Sequence, residues 1–372
     1  MKYYIIAGEA SGDLHGSNLI AALKKEDKQS NFRVWGGDLM QNTGATLVKH
    51  YRDLAFMGFL EVVKNLRTIL GNIAFCKKDI LDFQPDVLIL IDYPGFNLRI
   101  AKWAKANNIR VFYYISPQIW AWHTSRVHQI KRNIERMFVI LPFEKDFYKK
   151  YQYEVDFVGH PLLDAVKNFE YNADFFQENN IDKSKKIIAL LPGSRKQEIS
   201  KLLPEMLSVV DYFPDYQFVI AGAPSMSEAF YTSFLQEKKV KIIFNQTYNL
   251  LKNTHAALVT SGTATLETAL FSVPEVVCYK GSNVSYQIAK RLISIKYISL
   301  VNLIMDKKIV TELIQKECNT HQLKIELSKI IDGEERAKML GNYADLQVAL
   351  GKSGASEKTA KLMFEYLSIM NN

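Results

Sequence analysis

Two five-residue runs, Val87-Leu88-Ile89-Leu90-Ile91 and Ile187-Ile188-Ala189-Leu190-Leu191, contain no polar side chain, and each ends on a turn rich in Pro, Gly or Asp. A strand with one face in water alternates polar and apolar residues. A run without alternation suits a strand buried on both faces, as in a parallel sheet covered by helices. The first run belongs to a strand expected at Asp86–Asp92, and further strands are expected at Lys2–Ala7, Arg33–Gly36, Arg110–Ser116, Arg136–Leu141, Gln217–Ala221, Lys241–Phe244, Ala257–Thr260 and Glu275–Cys278, with Tyr297–Leu303 extended. Helical stretches such as Leu14–Lys25 and Gln197–Val210 fall between them, which makes this an α/β chain. At 372 residues it is too long for one core. The reading is a first Rossmann-like domain over 1–168, a polar linking stretch around 168–186, and a second such domain over 185–345. Three helices close the chain, and the last (354–372) crosses back to the first domain.

In an open parallel sheet, ligands bind at the carboxyl ends of the strands. Four such ends carry chemistry here. Ala257–Thr260 runs into Ser261-Gly262-Thr263 and a helix, whose first N–H groups and positive dipole end suit a diphosphate. Glu267, about one turn further in, is placed to accept hydrogen bonds from a ribose diol. Ile187–Leu191 leads into Pro192-Gly193-Ser194-Arg195, where glycine permits close backbone approach and the guanidinium offers a planar fork for phosphate oxygens. Lys2–Ala7 leads into Gly8-Glu9-Ala10-Ser11-Gly12-Asp13, whose carboxylates suit sugar hydroxyls better than phosphate; Asp13 reads equally well as a helix cap. Asp92 closes the Val87–Ile91 run ahead of Tyr93-Pro94-Gly95-Phe96-Asn97 and can serve as a general base on a sugar hydroxyl.

Several classes are disfavoured. The G-x-G-x-x-G spacing is missing, so a dinucleotide is not implied. No Asp-x-Asp occurs, the pair commonly used to hold a donor diphosphate through a divalent metal, so neither a metal nor another cofactor is expected. Zinc-ligand spacing and an aromatic-basic RNA motif are both lacking, which leaves nucleic acid a minor alternative. Three dispersed cysteines, Cys76, Cys278 and Cys318, fit a reduced cytoplasmic compartment. No secretory leader and no run of about 18 apolar residues is seen. The net charge of +8 favours anionic small molecules or an anionic membrane surface. Phe56–Phe75 combines an oversized apolar stripe, including Phe59, Val62, Val63, Leu66 and Ile69, with Lys64, Arg67, Lys77 and Lys78. That pattern suits a core helix, or one that lies on a membrane or cradles acyl chains. Trp120 and Arg126, on an aromatic and basic loop, fit a phosphorylated, partly apolar ligand or simple domain packing. His160, alone before Pro161, reads as a turn residue.

Seven stretches in order then point to one family: Ala7-Gly8-Glu9-Ala10-Ser11-Gly12-Asp13, Ile91-Asp92-x-Pro94, Ser116-Pro117-x-x-Trp120-Ala121-Trp122, Leu141-Pro142-Phe143-Glu144, Leu190-Leu191-Pro192-Gly193-Ser194-Arg195, Ser261-Gly262-Thr263-Ala264 and Tyr297-x-Ser299-Leu300-x-Asn302-Leu303. Along nearly its whole length the chain resembles the lipid A disaccharide synthases. The resemblance implies a GT-B architecture, two Rossmann-like domains facing a cleft. It also implies inverting transfer of 2,3-diacylglucosamine from UDP-2,3-diacylglucosamine to 2,3-diacylglucosamine 1-phosphate, giving a β-1,6 disaccharide and UDP. Asp92 matches the family's general base, with Glu9 also needed for activity. Gly193, Ser194, Arg195, Ser261, Gly262, Thr263, Glu267 and Asn302 are expected at the nucleotide sugar. Ser11, Asp13, Phe59, Val62, Val63, Leu66, Ile69, Trp120 and Arg126 are expected around the acceptor and its acyl chains, on a peripheral protein of the inner cytoplasmic membrane face. A homodimer, through exchange of the C-terminal helix, is left open.

Gly95 stands where the family often has a second Asp, which argues for one carboxylate at this loop, and Val301 replaces a usual Pro. The competing assignments are another GT-B enzyme acting on UDP-N-acetylglucosamine, either a cell-wall glycolipid transferase or a 2-epimerase, and a non-catalytic lipid- or nucleotide-binding protein. The epimerase substrate is water-soluble and gives the apolar stripe no purpose.

Overall fold

The computed structural model describes residues 1–54, 66–122, 124–281 and 296–369, with Leu66 and Trp122 described by backbone alone. The chain forms two compact units, residues 1–161 with 352–372, and residues 162–351.

The first unit is built on seven parallel strands, β1 (Lys2–Ala7), β2 (Asn31–Gly36), β3 (Thr46–His50), β4 (Val87–Ile91), β5 (Val111–Tyr114), β6 (Arg136–Val139) and β7 (Asp156–Phe157), in the order β3-β2-β1-β4-β5-β6-β7. Both faces are covered, as the unbroken apolar runs require. Tyr3, Ile5 and Ala7 of β1 join Val87, Ile89 and Ile91 of β4 on one face, while Tyr4, Ile6, Leu88 and Leu90 fill the other. The helix Ala10–Glu26 lies on the first face through Leu19, Ile20 and Leu23, beside the last helix, Ala355–Ile369, which contributes Ala360, Met363 and Leu367. The helices Leu66–Phe83 and Pro94–Ala106 cover the second face. One buried network pins the former: Asp79 accepts from Arg33 Nε at 2.8 Å and from the Tyr4 hydroxyl at 2.7 Å, and Trp35 Nε1 donates to that hydroxyl at 2.8 Å.

The second unit carries six parallel strands, β8 (Ile187–Leu191), β9 (Gln217–Gly222), β10 (Lys241–Phe244), β11 (Thr254–Thr260), β12 (Glu275–Tyr279) and β13 (Thr311–Ile314), in the order β10-β9-β8-β11-β12-β13. Phe175 and Ile181, in the stretch read as a linker, are buried in its core beside Ile187 and Val219. In each sheet the strand order reverses beside the first strand, between β1 and β4 and between β8 and β11. Parallel α/β sheets open a crevice at such a point.

Three short edge or near-edge strands, β3, β7 and β13, were not expected from the residue pattern. Tyr297–Leu303 is corrected: a helix occupies Leu300–Met305, because the Ser299 side chain caps it by accepting the Asn302 N–H. Phe59, Val62 and Val63 lie outside the described residues, as does the side chain of Leu66.

Candidate active site

In the first unit, the register Ala7↔Ile91 sets the turns after β1 and β4 side by side. Asp92 and Tyr93 both adopt positive φ, +43° and +49°. Two consecutive left-handed non-glycine residues are costly and persist where their surroundings hold them. Those surroundings are visible. Asn97 Nδ2 donates to the carbonyls of Ile91 at 3.2 Å and Asp92 at 2.8 Å, and the buried Tyr113 hydroxyl also donates to the Asp92 carbonyl. The Tyr93 ring packs over Gly8, where an added Cβ would meet it at 2.3 Å, so only glycine lets the two turns touch. The peptide groups of Asp92 are thereby fixed, and its carboxyl sits at the switch point with the Tyr93 backbone N–H and Glu9 beside it. Burial, followed by the nearby Glu9 charge, pushes that carboxyl up to about 6, a value suited to a base at neutral pH.

Glu9 is exposed at the start of the helix Ala10–Glu26, and Ser11 is exposed in its first turn. Arg126 is half-buried, and its charge is felt at the buried Tyr113 hydroxyl. Three other expectations are corrected. Asp13 is 3% exposed and its oxygens accept the N–H groups of Gly37, Leu39 and Met40, so it caps the neighbouring helix Asp38–Asn42 from the interior. Trp120 donates its indole N–H to buried Glu144 at 3.2 Å and meets Phe143 edge-on, which makes it a scaffold for its loop. Burial pushes Glu144 up to about 8. Ile69 is half-buried against the sheet; the same helix instead turns Leu70, Phe75 and Leu81 outward. His160 is buried, and burial, with His15 nearby, lowers it to about 3.

In the second unit, Leu191 pairs with Val259, which brings Pro192–Arg195 beside Ser261–Thr263. Glu198, not anticipated, links the two: it accepts from Ser194 N at 3.2 Å and from the Thr260 hydroxyl at 3.1 Å. Gly193 (φ +114°) serves this link rather than an approaching ligand, since a Cβ there would lie 2.1 Å from Glu198 Oε2. Gly193→Ala is expected to cost about 1–3 kcal/mol through strain and displacement of Glu198, read as a lower denaturant midpoint. Ser194, Arg195, Gly262 and Thr263 are exposed, and the first N–H groups of the helix Thr263–Leu270 have no acceptor within the helix.

Glu267 lines a pocket of about 410 Å³ with Phe169, Asn245, Thr247 and Tyr248. The Tyr248 hydroxyl donates to Glu267 Oε1 at 2.8 Å, leaving Oε2 for another donor. Burial raises the Glu267 carboxyl above its ordinary range. Asn302 is corrected. It is fully buried, its Nδ2 donates to the Val310 carbonyl and Glu312 at 2.9 Å each, and its Oδ1 accepts from Ile309 and Val310. It organises a loop and does not reach a ligand. The residue pattern does not mark Tyr113 and Glu312, whose partners lie 21 and 10 to 14 residues away, nor Asn97 and Glu198, whose nearer partners are reached only once their turns are folded.

Two parallel sheets, each with ligand-directed loops at its switch point, make this a two-domain α/β protein of the GT-B kind. The fold compares with UDP-GlcNAc 2-epimerase from Neisseria meningitidis bound to UDP-GlcNAc (TM-score 0.69, 14% identity, 100% of each chain) and with the glycotransferase of kitacinnamycin (TM-score 0.68, 14% identity, 98% of each chain). A family model for lipid-A-disaccharide synthetase matches residues 3–365. The lipid-A-disaccharide synthase of Syntrophus aciditrophicus is 40% identical over 96% of this chain and 95% of its own. That of Coxiella burnetii is 35% identical over 96% of each. The chain belongs to the lipid-A-disaccharide synthase family and is a glycosyltransferase.

Proposed function

We propose that this glycosyltransferase moves 2,3-diacylglucosamine from UDP-2,3-diacylglucosamine to the 6-hydroxyl of 2,3-diacylglucosamine 1-phosphate, with inversion. Asp92 takes the proton of that hydroxyl as its oxygen attacks the anomeric carbon from the face opposite UDP. The bond from the anomeric carbon to the diphosphate oxygen breaks, and UDP departs with the electron pair. Arg195 and the N–H groups around Gly262 and Thr263 stabilise the charge that develops on it. Glu267 Oε2 accepts from the ribose diol within its pocket, and Ser11 and Arg126 attend the acceptor. The observation that carries this reading is the Asp92 carboxyl, whose backbone is pinned at the β1/β4 switch point and whose burial raises it to about 6.

The acylated substrates are supported by the outward Leu70, Phe75 and Leu81, on a helix that also bears Arg67, Lys77 and Lys78. Exposed apolar side chains among basic ones suit peripheral docking on an anionic membrane. Among the described residues no helix is long and apolar enough to cross one. The test is UDP release from the acylated donor with and without the acylated acceptor, alongside UDP-N-acetylglucosamine alone. Release that requires both acylated substrates is expected. Turnover of the unacylated nucleotide sugar by itself would replace this reading with an epimerase.

A further inference from the structure

Glu312 lies on β13, away from any stretch that the sequence marks for ligand binding. Its carboxylate accepts five hydrogen bonds from four donors, all at the start of the helix Leu300–Met305: Ile298 N at 3.2 and 3.0 Å, Ser299 N at 2.9 Å, the Ser299 hydroxyl at 2.8 Å and Asn302 Nδ2 at 2.9 Å. The loop so gathered turns the Ile298 carbonyl toward the β11 turn, where it accepts the Ser261 hydroxyl at 2.9 Å. Ser261 is tied from the other side as well, its N–H donating to the Cys278 carbonyl at 3.1 Å. Ser261 is therefore held by two neighbouring segments, and the position of one of them depends on a single carboxylate.

We infer that Glu312 is a positioning residue for the nucleotide diphosphate: by clamping Ile298–Asn302 it holds Ser261, and through it the Gly262 and Thr263 N–H groups, in the direction a diphosphate needs. The inference rests on the reading that this turn binds UDP. Charge-assisted hydrogen bonds to a carboxylate are individually strong, and several converging on one group act as a unit. A neutral side chain of the same shape keeps an acceptor at the Oε1 position, but it turns an NH₂ group towards the Ile298 N–H in place of Oε2 and removes the charge that strengthens all five bonds, which loosens the clamp. The same geometry gives buried Asn302 its purpose, as one of the donors that Glu312 gathers.

The experiment measures UDP affinity by calorimetry, and KM for donor and acceptor, for the wild type, Glu312→Gln, Ser299→Ala, Ser261→Ala and the Glu312→Gln/Ser261→Ala double variant. Glu312→Gln is expected to weaken UDP binding and raise donor KM by on the order of tenfold, with acceptor KM unchanged. The double variant is expected to be no weaker than the worse single variant, because both remove the same tether. Ser299→Ala, which deletes one of the five bonds, should shift UDP affinity the same way by about two- to threefold. Should Glu312→Gln fail to fold, the direction of the Ser299→Ala effect decides. Unchanged UDP affinity in the folded variants, or strictly additive losses with Ser261→Ala, overturns the proposal. A wild type that binds no UDP removes the nucleotide reading itself, a result distinct from a wild type that binds while the variants bind equally well.

Discussion

Asp92→Asn is expected to lower kcat by on the order of 10²–10⁴-fold while leaving KM for both substrates within a few-fold. Asn is nearly isosteric and tolerates the left-handed conformation at φ +43°. The Asp92 carbonyl keeps its bonds from Asn97 and Tyr113, so the turn should persist. What disappears is the proton acceptor. The pH dependence supplies a second reading of the same group. A base works deprotonated, so wild-type activity should rise with pH through about 6, the position set by burial and then by Glu9, and level off above it. Glu9→Gln removes the negative neighbour and should move that acid limb to lower pH, because a lone carboxyl ionises more readily. Steady-state rates from pH 5 to pH 8 check both statements. An Asp92→Asn enzyme retaining more than a tenth of its activity would place the base elsewhere.

Glu275→Met should raise stability, and raise it more at alkaline pH. Glu275 is wholly buried at the start of β12, and neither carboxyl oxygen has a hydrogen-bond partner among the described residues. Burial pushes the carboxyl well above its ordinary value of 4.5, so it is carried protonated. An unsatisfied buried polar group costs about 1–3 kcal/mol. The linkage adds to this in a definite direction. For a group whose folded pKa is raised, the stability it permits is fully present below the unfolded value and is lost as pH climbs towards the folded one. An apolar side chain of similar volume removes both costs. Melting temperature should rise by several degrees at neutral pH, and the gap from wild type should shrink towards pH 4.5. A gap that is constant with pH would mean that Glu275 has a proton-independent partner.

The sequence made the strand framework readable because β4 and β8 are buried on both faces and must be apolar throughout. The candidate site was legible in proportion to how local its proposed chemistry is. Asp92, Arg195, Ser261–Thr263 and Glu267 follow directly from the ends of strands or the first turn of a helix, and a parallel sheet puts strand ends at its ligand edge. Asp13 misled because a carboxylate in a turn looks the same whether it waits for a sugar or caps a neighbour's helix, and its three partners lie 24 to 27 residues away. Asn302 misled for the same reason, since nothing along the chain indicates that Glu312 and the Ile309 and Val310 N–H groups saturate it. In the helix Leu66–Phe83, apolar spacing showed that a broad stripe exists. Which of its edges meets the sheet was fixed by the Asp79 network, through partners on β1 and β2.

The last helix, Ala355–Ile369, shares a core with the helix Ala10–Glu26, so the first unit is assembled from segments separated by the whole of the second. On the ribosome this inverts the expected order. Residues 162–351 form an uninterrupted stretch that can close its core as it emerges, whereas the earlier-made unit carries an uncovered apolar groove over Leu19, Ile20 and Leu23 until Ala360, Met363 and Leu367 are synthesised. The unit begun before residues 162–351 is thus completed after them, and a chain ending before Ala355 would leave residues 162–351 folded and the first unit unsealed.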